Sequence, residues 1–133
     1  MHLIAIHPEA VFQALADSIR IRMLRLLAVS GEESCLCEFV DTLQQPQYKL
    51  SRHLQVLRQA GLLTAEKDGR FVYHRLVVEP AYLQSVHAAL RALPDPDRVF
   101  RQDLKRFRGR MRLREGGRCR IGIQTAELVA GAG

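Results

Sequence analysis

Several functions are excluded by what this sequence omits. No stretch approaches the ~18 consecutive apolar residues of a membrane-spanning helix, and the first residues lack the charged-then-apolar layout of a secretion signal. A cytoplasmic location without membrane contact is the expectation. There is no glycine-rich phosphate loop, no Cys-x-x-Cys motif and no pair of carboxylates beside a nucleophile, so an enzyme is not expected. Cysteine is scarce, with 3 in 133 residues. An odd number cannot complete a disulfide framework within one chain, which turns attention to metal binding or thiol chemistry.

The length suits one domain with one core. The net charge of +6 is unevenly placed: residues 1–96 hold ten basic and ten acidic side chains, whereas 97–133 hold ten basic and four acidic. A basic tail fits a polyanion such as DNA, and it equally fits a solvated charge run.

Apolar spacing predicts helices over Pro8 to Ala16, over Ile19 to Val29 with Ser18 as N-cap, and over Cys35 to about Leu43 with Ser34 as cap. In the second helix Ile19, Met23, Leu26 and Leu27 form the apolar stripe, and Arg20, Arg22 and Arg25 are expected to face outward. After a Gln44-Gln45 turn, Pro46 opens a fourth helix to Ala60, closed by Gly61. Two short helices around so tight a turn predict a helix-turn-helix.

Strand formers at Leu62 to Glu66 and Arg70 to Val77 flank Lys67-Asp68-Gly69, a hairpin signal and the expected wing. Ala81 to Leu93 returns to helical spacing through Leu83, Val86, Leu90 and Leu93, more apolar surface than a terminal helix should expose, and is assigned to a dimer interface. A last basic helix is expected from Asp97 to about Leu113, then a loose tail from Glu115. The expected fold is mainly α with a small β-hairpin, a dimeric winged helix-turn-helix. It divides into a DNA-binding and dimerisation domain at 1–93 and a basic helix with flexible tail at 94–133.

Within the fourth helix the exposed positions are Gln47, Tyr48, Lys49, Ser51, Arg52, His53, Gln55 and Arg58, with no acidic residue among them. Gln and Arg can pair with adenine and guanine edges in the major groove, and Lys, Ser and Tyr can reach phosphates. Its N-terminal half should lie deepest. Lys67 and Arg70 sit where a wing meets backbone phosphate.

Ala14-Leu15-Ala16-Asp17 with Arg20-Ile21-Arg22-Met23-Leu24, then Cys35-Leu36-Cys37-Glu38, then Leu50-Ser51-Arg52-His53-Leu54 with Leu57-Arg58-Gln59-Ala60-Gly61-Leu62, resemble the ArsR/SmtB family of bacterial metal-sensing repressors. The resemblance covers about Val11 to Leu76. It implies a homodimer on a palindromic double-stranded DNA operator, released when an inducer binds. Gln47, Tyr48, Ser51, Arg52 and His53 match the family's DNA-contacting stretch, and His53 has a second reading as a half-buried helix residue. Pro46 departs from the small polar residue often found there. The family's zinc site of carboxylates and histidines on the dimerisation helix is judged absent, since only Glu79 and His87 are available.

Thiolates prefer soft ions. Arsenite and antimonite favour three sulfur ligands, whereas zinc, lead and cadmium usually seek four or more donors. Cys35 and Cys37, at positions one and three of their expected helix, should have thiol pKa values lowered by its dipole. Residues two apart on a helix point about 200° from one another, so gripping one ion would require the first turn to unwind, distorting the support of the DNA-reading helix. Cys119, some eighty positions downstream, is the candidate third ligand, from the same or the partner subunit, with Arg118 and Arg120 favouring its thiolate. An idle tail thiol is the alternative. The expected inducer is arsenite or antimonite. A cadmium or lead sensor that adds Cys119 or a histidine such as His2 or His7 remains open, as does a disulfide switch to Cys119.

Overall fold

The computed structural model describes residues 7–129. The helices are α1 (Pro8–Leu15), α2 (Ser18–Ser30), α3 (Leu36–Leu43), α4 (Gln47–Gln59), α5 (Tyr82–Arg91) and α6 (Val99–Met111). Strands β1 (Ser34–Cys35), β2 (Leu63–Asp68) and β3 (Phe71–Leu76) form an antiparallel sheet in the order β1-β3-β2. The expected winged helix-turn-helix architecture, mainly helical with a small hairpin, is present.

Local chemistry moves several expected boundaries. Asp17, not Ser18, caps α2: its Oδ1 accepts from the backbone N–H of Ile19 at 2.9 Å and of Arg20 at 3.1 Å. Pro46 precedes α4 as its N-cap with φ −57° and ψ 144°, rather than forming its first turn. Gln44, in the left-handed region at φ 58°, turns the chain between α3 and α4. The wing is longer than expected, because Lys67 and Asp68 continue β2 by pairing with Val72 and Phe71. Only Gly69-Arg70 remains as the loop, with Gly69 at φ 66°.

The core joins Val11, Met23, Leu24, Leu27, Phe39, Val40, Leu43, Leu50, Leu57 and Leu62 to Leu83 and Leu90 of α5 and Phe107 of α6. Each such side chain contributes roughly 1.5–3 kcal/mol on burial. Two of the four residues assigned to a dimer interface, Leu83 and Leu90, therefore serve the chain's own core. The outward apolar face is made instead by Val86 and Leu93 with Phe12, Leu15, Ile21 and Tyr82, around a groove of about 450 Å³.

The arginines expected to face outward from α2 have partners. Arg20 donates from Nε to the Ala14 carbonyl at 2.6 Å, and Arg22 makes a two-pronged bond to Asp103 of α6 at 2.8 Å on each oxygen. Arg25 lies over the Phe100 ring at 4.6 Å.

The segment after α6 is packed where a loose tail was expected. Asp41 of α3 is the anchor: it accepts from Arg110 Nε at 2.6 Å, from the backbone N–H of Gln124 and Thr125 at 2.9 and 3.0 Å, and from Thr125 Oγ1 at 2.8 Å. Arg110 also donates to the carbonyls of Ile121 and Gly122 at 2.9 Å each. Coil without apolar periodicity is thus held by hydrogen bonds onto Asp41 and Arg110.

Asp41→Ala removes that anchor and leaves the Arg110 guanidinium buried without its counter-charge. The expected loss is about 3–5 kcal/mol of unfolding free energy, read from urea denaturation. A loss below about 1 kcal/mol would show that the segment is not held this way.

Candidate functional site

Cys35 is not helical. Its backbone is extended, at φ −96° and ψ 165°, because β1 pairs Cys35 with Tyr73 of β3, and α3 begins one residue later. This overturns the expected opposition of the two sulfurs. Cys35 Sγ and Cys37 Sγ are 2.9 Å apart, with the first turn of α3 intact. Cys119 Sγ lies 3.4 Å from Cys37 Sγ, and all three sulfurs fall within 4.8 Å of one another. The three residues are buried, at 2%, 7% and 4% exposure, and none is in a disulfide.

Cys119 reaches this place by folding back rather than by chance proximity. Its backbone N–H donates to the Tyr73 hydroxyl at 2.8 Å, and its Sγ lies 3.2 Å from the Ile121 carbonyl. Arg114, just before it, grips Glu38 of α3 with Nε and Nη2 at 2.8 Å each and donates to the Glu33 carbonyl at 2.7 Å. Glu38 Oε1 in turn accepts from the Cys35 backbone N–H and the Ser34 hydroxyl, both at 3.2 Å. Glu38 and Arg114 hold both ends of the thiol cluster.

The electrostatics run against the expected thiolates. The Cys37 thiol contact, burial and the Glu38 carboxylate together push the Cys35 pKa far above the ordinary thiol value. Burial, then Cys35, raises that of Cys119. Arg118 and Arg120 do not offset this. Arg118 pairs with Asp68 at 2.8 Å and covers the Tyr73 ring at 4.1 Å, and Arg120 faces Glu115 at 3.8 Å. Burial opposes ionisation of Glu38 as well, but Arg114 outweighs it and keeps the carboxylate charged.

Of the residues expected to contact DNA, Tyr48, Lys49, Ser51 and Arg52 are exposed along α4, Gln47 is half-buried, and Lys67 and Arg70 are exposed at the wing. Several residues of the expected set have partners within the chain. His53 Nδ1 is 3.2 Å from Arg20 Nη1, and burial with that cation lowers its pKa. Arg58 Nη1 is 2.9 Å from His74 Nε2. Arg70 donates to the Arg120 carbonyl at 3.3 Å. A cavity of about 620 Å³ lies between α4 and the wing, walled by Cys35, Cys37, Ser51, Arg58, Arg70 and His74. Cys35 and Cys37 therefore line the same cavity as residues of α4 and the wing.

His7 is exposed beside Glu9, whereas His2 lies outside the described residues. His87 is buried with Nε2 2.8 Å from the Val77 carbonyl. Sequence reasoning missed Glu38, Tyr73 and Arg114. The available signal for Arg114 was its four-residue step from Arg106 and Arg110, a helical repeat that continues in sequence past the end of α6 at Met111.

Burial, reinforced by Arg58, lowers the His74 pKa to about 4. The unfolded chain therefore takes up this proton first as pH falls through about 6.5, and the folded chain follows only near 4. Stability is complete above pH 6.5 and declines below it, by about 2 kcal/mol between pH 7 and pH 5. Urea midpoints should drop over this interval in the wild type and drop less in His74→Gln. Parallel declines in the two proteins would contradict the assignment.

The model of the arsR family of bacterial regulatory proteins matches residues 17–65. The chain is 43% identical over 93 residues to the arsenic resistance transcriptional regulator ArsR1 of Pseudomonas putida, covering 70% of each protein. It is 44% identical over 69 residues to the arsenical resistance operon repressor of Escherichia coli, covering 52% of this chain and 58% of that one. To a cadmium resistance transcriptional regulatory protein CadC homolog of Staphylococcus aureus it is 30% identical over 86 residues, covering 59% of this chain and 70% of that one. No helix among the described residues is long and apolar enough to cross a membrane. With a helix-turn-helix and wing in the matched region and similarity reaching well beyond it, the chain belongs to the ArsR family of bacterial transcriptional regulators.

Proposed function

We propose that this protein is a cytoplasmic homodimeric repressor that releases a palindromic operator when arsenite or antimonite engages Cys35, Cys37 and Cys119. The observation that carries the reading is the buried set of three thiols within 4.8 Å. The names of the Pseudomonas putida and Escherichia coli relatives support it.

The donor set fits a trivalent metalloid better than a divalent cation. The Cys35 and Cys119 thiols, their pKa values raised by the Cys37 contact at Cys35 and by burial at both, resist a guest that requires thiolates. Three thiols condensing with arsenous acid release three waters and no proton, and the product is neutral in a buried setting. Three thiols binding a divalent cation must expel protons and leave a net negative charge beside Glu38. The described residues offer no fourth cysteine, and the Glu38 carboxylate is already occupied by Arg114, Ser34 and the Cys35 N–H. A cadmium or lead sensor, the reading that the Staphylococcus aureus relative favours, would need such a donor.

Coupling to DNA runs through the elements that hold the sulfurs. Cys35 and Cys37 stand at the head of α3, which leads through Gln44 into α4. Cys119 is flanked by Arg118, bonded to Asp68 at the end of β2, and by Arg120, whose carbonyl holds Arg70. Drawing three sulfurs onto one centre shifts the wing and the reading helix together, without unwinding α3. By linkage, operator and inducer weaken each other equally, typically by about 1–3 kcal/mol. Tyr48, Lys49, Ser51 and Arg52, with Gln47, read the operator, and Lys67 and Arg70 meet its backbone. The face of Phe12, Leu15, Ile21, Val86 and Leu93 joins the two protomers.

The test is operator binding by fluorescence anisotropy, titrated with arsenite and with cadmium at pH 6.5 and 8. Arsenite should release the wild type about equally at both pH values, and cadmium should act better at the higher one. Cys35→Ser and Cys37→Ser should keep operator affinity and lose arsenite release, with Cys119→Ser impaired to a lesser or equal degree. An unchanged arsenite response in all three variants would reject the site.

A further inference from the structure

Ten cations fall in residues 97–133, and the structure divides them into two sets of five. Arg106, Arg110, Arg114, Arg118 and Arg120 each pair with a carboxylate, on Asp103, Asp41, Glu38, Asp68 and Glu115 respectively. Arg98, Arg101, Lys105, Arg108 and Arg112 form no ion pair and no side-chain hydrogen bond among the described residues, and all five are exposed. They are not scattered. Arg101, Lys105, Arg108 and Arg112 follow at steps of four, three and four, which places them within an arc of about 60° along about 16 Å of α6, and Arg98 stands at its N-cap. Asp103 and Phe107 on the opposite side are buried against α2 and α3.

A solvated helix face ordinarily mixes both signs, because like charges three and four residues apart repel. This stripe contains no acidic residue. Asp95 and Asp97 stand before the helix, and the Asp95 carboxylate accepts from the backbone N–H of Phe100 and Arg101 at 3.0 Å, which lowers its pKa.

We infer that the α6 stripe is a second, sequence-independent DNA contact, gripping backbone phosphates of the duplex that flanks the operator core. The inference rests on the repressor reading, since flanking duplex is held near the protein once α4 has docked. A regularly spaced row of unpaired cations suits a row of backbone phosphates. A lipid surface fits less well, because a surface-lying helix needs an apolar face to insert and α6 has buried its own in the core.

The experiment measures dissociation constants against salt concentration on two duplexes, one trimmed to the palindrome and one carrying ten extra base pairs on each side. Wild type is compared with the quadruple variant Arg101→Gln, Lys105→Gln, Arg108→Gln, Arg112→Gln, with folding checked by circular dichroism. For the wild type, the logarithmic salt dependence should be steeper on the extended duplex by about 2–4 units, given about 0.9 unit per phosphate neutralised. The variant should lose that difference, bind the trimmed duplex as the wild type does and keep its arsenite release. Equal wild-type slopes on both duplexes would overturn the inference whatever the variant does. Capture of the wild type by phosphatidylserine vesicles, with equal DNA slopes, would overturn it in favour of a membrane surface. Failure of the wild type to bind even the trimmed duplex would instead remove the repressor reading beneath it.

Discussion

Two buried carboxylates on α3 organise this molecule. Glu38 and Asp41 lie three residues apart on a short helix, and each buried carboxylate is paired with a guanidinium. Their guanidinium partners, Arg114 and Arg110, come from the far end of the chain, which must fold back across α3 to supply them. A sulfur 82 positions away in sequence thereby meets Cys37. The thiol cluster is a consequence of charge neutralisation in the core, and the irregular segment that carries Cys119 needs no secondary structure of its own to be placed.

The same constraint raises the pKa of Cys35 and of Cys119. Low polarity, a neighbouring thiol and the Glu38 carboxylate all disfavour negative sulfur at Cys35, and the nearby arginines are occupied by carboxylates of their own. Cys35 is the N-cap of α3 rather than a residue of its first turn, and its pKa is raised despite its place at the helix N-terminus. The chemistry that suits such a site exchanges a bound hydroxyl for a thiol sulfur and leaves no added charge behind.

Much of this was readable in the sequence, and the failures have physical causes. Apolar spacing located α1 to α5 because each buries a stripe, and Gly69 marked the wing because it takes a positive φ. Tyr48, Lys49, Ser51 and Arg52 were legible as an exposed basic face for the same reason. Cys35 was misplaced because a two-residue strand has no periodicity, and it extends only through its partner on β3. The loose tail was misread because its order comes from side chain to backbone bonds onto Asp41 and Arg110, which leave no apolar pattern. Arg22, read as solvent-facing from its own helix, is satisfied by Asp103, a partner 81 positions away. Long-range ion pairs of this kind are invisible to local spacing.

Arsenic K-edge X-ray absorption of the protein loaded with arsenite tests the central claim most directly, because it counts the atoms bound to the metalloid. The account predicts one arsenic per chain surrounded by three sulfurs and no oxygen. Two sulfurs with a retained oxygen would contradict it, showing that the carboxyl-terminal cysteine is not a ligand and that the charge-driven fold-back serves structure only.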